Sequence, residues 1–206
     1  MSQLNMLTEM QRDALAEVFN IGAGRAASSI SEIVGDEVKL SVPAIEVKKS
    51  TEISPEILAL NDGKFGTVRQ DFSGPFDAAA MLLFSEENAL EIVRDMMGSQ
   101  MSLDELAEFE QEAMCELGNI ILNACLSAMA DMLSISLNSS LPCYTISSCD
   151  EILYAITGNA TQDYILVLNI ALTSAKRQSQ GHLMLLLSSA SLTHLIRHVD
   201  RFLSGI

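Results

Sequence analysis

The sequence predicts an α+β fold in which two related halves share one β-sheet and each half carries one long helix. Three observations predict it. A polar constellation occurs twice, 99 residues apart. The same order of helical and strand patterns runs through both halves. Finally, 49% of the 206 residues are apolar and 19% charged, the balance of a globular chain and not of a disordered one. We read residues 1–206 as a single domain built from pseudo-repeats 1–100 and 101–206.

The repeated constellation is Asp13, Glu17 and Asn20 followed by Pro43, and then Glu112, Glu116 and Asn119 followed by Pro142. In each copy an acidic residue stands four before a Glu, an Asn stands three after it, and 22 residues separate the Asn from the Pro. Both stretches have helical patterning, and a helix turns by about 100° per residue. The three polar side chains therefore fall within an arc of roughly 60° on one helix face. A single Glu–Asn pair would be ordinary surface polarity. Two matched pairs, in a chain with only four prolines, mark a duplicated site. Asn is also a mediocre residue in a helix interior, because its amide competes for backbone hydrogen bonds. Its double use suggests that the amide itself is needed.

Each element has a local reason. Thr8-Glu-Met-Gln11 is a capping box that opens a helix reaching about Val34, with Leu15, Val18, Ala26, Ile30 and Ile33 at helical spacing. Gly22 and Gly24 inside it cost about 1 kcal/mol each against Ala, so close packing on another backbone is expected there. Gly35-Asp36 ends this helix. Residues 38–47 alternate as a strand whose Pro43 demands an edge or a bulge. Ser54-Pro55 opens a helical turn through residue 60, and residues 61–63 form a turn. Strands follow over 65–72 and 76–84, then a helix from Glu86 to Met97, capped by Ser85 and closed by Gly98. Its Leu90, Val93, Met96 and Met97 are expected in the core.

The second half repeats the order. A helix opens at Ser102-Leu-Asp-Glu105 and runs through the second motif to about Leu133. Residues 134–141 then read as a strand and 150–156 as a short helix. Strands over 162–174 and 181–188 flank a polar loop at 176–178, and a closing helix over 191–203 mirrors the one that ends the first half. Neither half alone would bury a generous core, so a common sheet covered by helices is expected.

A formal charge of −15 argues against nucleic acid or an anionic membrane surface as partner, since phosphates would repel it. The N-terminal residues lack the charged and apolar regions of a signal peptide, and no apolar run approaches the roughly 18 residues of a membrane span. A cytoplasmic location without membrane insertion is the expectation. Cys115 and Cys125 lie ten apart on different helix faces, while Cys143 and Cys149 have no paired spacing and no nearby His. Free, mostly buried thiols are expected, and no metal site. His194 and His198 have the spacing of two ligands on a helix, but no Glu lies between them, and a helix-end pair is the simpler reading. There is no Gly-rich phosphate loop. The four serines between Ser134 and Ser140 have no base beside them for nucleophilic catalysis.

The motif residues also carry a family resemblance. The pattern of an acidic or Ser residue, then Glu, Asn and Pro at these spacings, present twice, resembles the CheC/CheX/FliY family of chemotaxis phosphatases. Asn20-Ile-Gly-Ala-Gly24, Leu117-Gly-Asn-Ile-Ile121 and Ser41-Val-Pro-Ala-Ile45 extend the similarity, which runs over essentially the whole chain. Two motifs make it more similar to CheC than to CheX, which has one. Glu112 departs from the family's Asp or Ser and puts a longer side chain beside Glu116. The resemblance implies the same α+β fold and hydrolysis of the aspartyl phosphate of a CheY-like response regulator. Asn20 and Asn119 would place the attacking water, while Glu17 and Glu116 would pair with the regulator's active-site Lys. Asp13, Glu112, Pro43 and Pro142 would support the motif. It implies no cofactor of the chain's own, Mg²⁺ supplied by the regulator, and a CheD-like deamidase as a possible second partner. The competing expectation is a non-catalytic adaptor of the flagellar switch.

Overall fold

The structure is a computed structural model that describes residues 6–42, 44–58, 63–97, 103–158, 163–174 and 178–205, without the side chains of 97, 103–105, 107 and 108. Its elements are α1 (Glu9–Val34), β1 (Val38–Ser41), β2 (Ile45–Lys49), a 3-10 turn (Ser50–Glu52), β3 (Lys64–Ser73), β4 (Ala78–Ser85) and α2 (Glu86–Met97). The second half contributes α3 (Leu103–Leu133), β5 (Asn138–Ser139), β6 (Cys143–Ser148), α4 (Cys149–Thr157), β7 (Tyr164–Ser174), β8 (Gln178–Leu187) and α5 (Ser189–Ser204).

All eight strands join one antiparallel sheet, in the order β1-β7-β8-β4-β3-β5, with β2 also on β7 and β6 also on β3. Replace β1 by β5, β3 by β7 and β4 by β8, and the order reads backwards onto itself. That is the expected pseudo-twofold relation within a shared sheet. Among the described residues the edge strands of each half pair only with the other half.

Side chains alternate across a strand, so a sheet covered on both faces shows unbroken burial. β4 does so from Ala78 to Phe84. Its Ala78, Ala80, Leu82 and Phe84 join the larger cluster under the helices, with Leu15, Phe19 and Ile30 of α1 and Met114, Leu117 and Ile121 of α3. Its Ala79, Met81 and Leu83 face a smaller cluster covered by Ile53, Leu58 and α4 residues Ile152 and Ile156. Thr8 caps α1 as expected: its Oγ1 accepts from the Gln11 amide at 3.2 Å, and Gln11 Oε1 accepts from the Thr8 amide at 2.8 Å.

Several local expectations are corrected. Residues 134–141 do not form one strand. Ser134 turns into the left-handed region at φ 53°, and only Asn138–Ser139 then pairs with β3. Ile135 and Leu137 mimic strand alternation because both pack on the core while the chain leaves α3. The main strand of that segment is Cys143–Ser148, where no strand was expected. β4 begins at Ala78, with Phe76 buried in the preceding turn, and β8 begins at Gln178. Gly22 meets the expectation of close packing: an added Cβ would lie 2.6 Å from Cys125 Cα and 2.9 Å from Ala124 O. Gly24 does not, because its Cβ would enter open space. All four cysteines are free, but only Cys125 is buried, and burial pushes its thiol up to about 12. Pro43, residues 59–62, Gly98, Ser102 and residues 176 and 177 of the expected 176–178 loop lie outside the described residues.

Candidate functional site

Asp13, Glu17 and Asn20 are exposed on α1, and Glu112 and Glu116 are exposed on α3; Asn119 is half-buried. The opposite faces hold both helices down, through Leu15, Val18, Phe19 and Ala23 on α1 and through Ala113, Met114, Leu117 and Ile121 on α3. Each motif thus stands on the solvent side of a helix whose other side is core. Gly22 and Gly118 allow the approach from beneath. The first lies against the backbone of α3, and a Cβ on the second would overlap the Val68 side chain.

Each motif ends at a break between two short edge strands. Ser41 pairs with Ala171 and Ile45 with Leu168, and between them neither Val42 nor Ala44 belongs to a strand. Ser139 pairs with Phe72 and Cys143 with Arg69, so residues 140–142 stand opposite only 70 and 71. The second is a bulge of three residues against two, the arrangement expected where Pro cannot donate to a ladder.

The first break explains one role of Asn20. A break leaves backbone groups outside the ladder, and these need other partners. Asn20 supplies them: its Oδ1 accepts from the Val42 amide at 2.9 Å, and its Nδ2 donates to Val42 O at 3.1 Å and to Ala16 O at 3.0 Å. In the first site the chain therefore returns to the motif helix 22 residues on, bringing the Val42 backbone to the Asn20 amide.

The second break is tied differently. Ser140 donates its amide to Asp71 O at 2.8 Å, and its carbonyl accepts from Gln70 Nε2 at 2.7 Å. Leu141, the counterpart of Val42, is 90% exposed where Val42 is 2% exposed. Asn119 bonds within its own helix instead: Asn123 Nδ2 donates to Asn119 Oδ1 at 2.7 Å and to Asn119 O at 2.9 Å. Cys115 Sγ lies 3.9 Å from Pro142 O, and burial raises its thiol pKa. Beneath it the Tyr144 hydroxyl donates to the buried Glu110 carboxylate in a short hydrogen bond, tying β6 to α3. Burial and that bond raise the Tyr144 pKa.

Val42, Asn123, Glu110 and Tyr144 are site neighbours the motif does not announce. Two of them had a signal in the repeat, since Asn123 is the counterpart of Gly24 and Glu110 of Gln11. Gln11 is likewise buried and polar, with Nε2 2.6 Å from Asp200 Oδ1.

His194 Nδ1 lies 2.8 Å from Pro75 O, and burial together with Arg201, His194 and Arg197 lowers the pKa of His198. Among the described residues no group of three or more His, Cys, Asp or Glu could hold a metal ion. Two open grooves, of about 760 and 540 Å³, are lined by no motif residue. Against the expectation that no apolar run approaches a membrane span, the α3 segment from Phe109 to Leu133 is long and apolar enough to cross one, but most of it is buried against the sheet and α1.

With this geometry in place, residues 10–47, which hold the whole first motif up to Pro43 and Ala44, match the model of the CheC-like family. The resemblance to CheC-like proteins holds. The CheY-P phosphatase CheC of Bacillus subtilis is 27% identical over 145 residues, covering 69% of each chain. The flagellar motor switch phosphatase FliY of the same organism is 25% identical over 146 residues, 68% of this chain but 36% of that protein. Among solved structures, FliY of Thermotoga maritima superposes with a TM-score of 0.77 at 19% identity, covering 95% of this chain and 98% of that one. CheX in the CheX–CheY–BeF3–Mg complex of Borrelia burgdorferi shares the fold at a TM-score of 0.52 and 13% identity, covering 84% and 97%. FliM in the FliG–FliM complex of H. pylori does so at 0.63 and 12%, covering 93% and 100%.

Proposed function

We propose that this chain is a phosphatase that removes the aspartyl phosphate of a CheY-like response regulator in the cytoplasm. The observation that carries the reading is the pair of outward-facing Glu–Asn constellations, each on a helix locked from beneath and each with its Asn amide held by hydrogen bonds. Similarity to proteins named as CheY-P phosphatases supports it. An acyl phosphate is already reactive, so positioning contributes most of what catalysis requires. Water attacks phosphorus in line, the bond from phosphorus to the aspartyl oxygen breaks, and the carboxylate leaves as inorganic phosphate forms. Asn20 retains one Oδ1 lone pair after serving Val42, and with it can accept a hydrogen of the attacking water. Asn119 would do the same in the second site. Glu17 and Glu116 would pair with a cation of the regulator, and Mg²⁺ would arrive with the regulator to offset phosphoryl charge.

Phosphate release from a phosphorylated CheY-like regulator tests this with wild type, Asn20→Ala, Asn119→Ala and the double variant. We expect acceleration by wild type, partial loss in each single variant and complete loss in the double. No acceleration across several regulators would overturn the reading. The alternative is a non-catalytic adaptor of the flagellar switch, favoured by the FliM-like fold, and it predicts binding without release. A CheD-like deamidase remains a second partner proposed from the resemblance alone.

A further inference from the structure

The two sites keep the same Glu and Asn but hold the Asn amides by different neighbours, and that difference has a chemical consequence. Asn20 spends both Nδ2 hydrogens on the carbonyls of Ala16 and Val42 and one Oδ1 lone pair on the Val42 amide. It keeps a single acceptor position. Asn119 makes no such bond to Leu141, the counterpart of Val42, among the described residues, and Leu141 is exposed where Val42 is buried. Its Oδ1 is held by Asn123 alone, and its Nδ2 makes no hydrogen bond among the described residues.

We propose that Asn123 is a positioning residue of the second site, doing for Asn119 what the Val42 backbone does for Asn20. The proposal rests on the phosphatase reading above. Asn123 sits at the position of Gly24, where the first helix has open space and needs no side chain because the Val42 backbone performs the task. By donating from Nδ2 to Asn119 Oδ1 at 2.7 Å and to Asn119 O at 2.9 Å, it sets both the rotamer and the orientation of the Asn119 amide. Nδ2 of Asn119 then remains available. The first site can only accept a hydrogen from the water. The second can accept one and also donate, to the water or to a phosphoryl oxygen, so the sites are chemically different despite their matching motif.

The test places Asn123→Gly, Asn123→Asp and Asn123→Gln in the Asn20→Ala background, so that release reports only the second site. Gly removes the contact and Asp keeps the shape without the donor, whereas Gln keeps the donor. We expect Gly and Asp to lower kcat on the order of tenfold, the scale of one positioning hydrogen bond, with KM for the phosphorylated regulator unchanged. Gln should restore most of the loss. Thermal unfolding of each variant, recorded alongside, separates lost positioning from lost folding. Retention of full Asn20→Ala activity by the Gly and Asp variants would overturn the proposal, as would an Asn20→Ala protein with no activity. If wild type itself does not accelerate release, the phosphatase reading fails first and the proposal falls with it.

Discussion

The Tyr144–Glu110 hydrogen bond shows how much rests on a single polar contact under the second site. A carboxylate on the inner side of α3 is tolerable only because a hydroxyl from β6 meets it, in surroundings where an unpaired polar group costs about 1–3 kcal/mol. Tyr144→Phe keeps the ring that packs against Gly66 and removes only the donor. We expect a loss of about 1–3 kcal/mol in unfolding free energy, measured by urea denaturation. A change below about 0.5 kcal/mol would mean that the carboxylate finds another partner, and that β6 is not held by this bond. Asn20 differs in kind: its amide is exposed, yet it is the hydrogen-bond partner of the Val42 backbone 22 residues away. One residue therefore serves the fold and the proposed chemistry together, so Asn20→Ala should be read with stability measured beside activity.

The long helices meet where α1 has no side chain to keep α3 away. Gly22 and Gly24 look alike in the sequence, since both interrupt a helix and both cost propensity. Their surroundings separate them. A methyl at Gly22 would have to displace backbone of α3, which no rotamer change can relieve, and Gly22→Ala should destabilise by roughly 1–3 kcal/mol. At Gly24 a methyl meets nothing, and Gly24→Ala should stabilise by roughly 0.5–1 kcal/mol through the lower entropy of the unfolded chain. Thermal unfolding of the two variants should shift in opposite directions, and shifts of the same sign would refute the close contact of α1 with α3. The edge strands follow the same logic. Each is broken, and a different device meets each break: Asn20 bonds the Val42 backbone in the first, and Asp71 and Gln70 bond Ser140 in the second.

Strand exchange between the halves dominates the architecture. Among the described residues β1 and β2 pair with nothing but β7, and β5 and β6 with nothing but β3, while β4 and β8 join at the centre. Cutting the chain at residue 101 would leave every edge strand without its ladder and open the central pair as well, on top of the small-core penalty of about 100 residues. Fragments 1–101 and 102–206 should each lack a cooperative thermal transition when dilute, and mixing them should restore one. A sharp transition in either fragment as a monomer would show that a half is a domain in its own right. The shared sheet is also what sets the two Glu–Asn pairs in a fixed relation, because both motif helices pack over the same larger cluster.

Much was legible from local chemistry. Helix periodicity, the capping box at Thr8, the turn residues and the duplicated motif all act within a few residues, where side-chain identity settles backbone preference directly. These sufficed for the two long motif helices and for the exposed face carrying Glu17, Asn20 and Glu116. The strand at Cys143–Ser148 was not legible, because its partners on β3 lie 74 to 84 residues earlier and Ile135 and Leu137 alternate nearby without pairing. Nor could spacing tell Gly22 from Gly24, or show that Val42 holds one Asn and Asn123 the other. Those outcomes depend on which backbone arrives beside a residue when distant segments pack. A motif names the groups on display, and packing decides which of their hydrogen bonds are already spent.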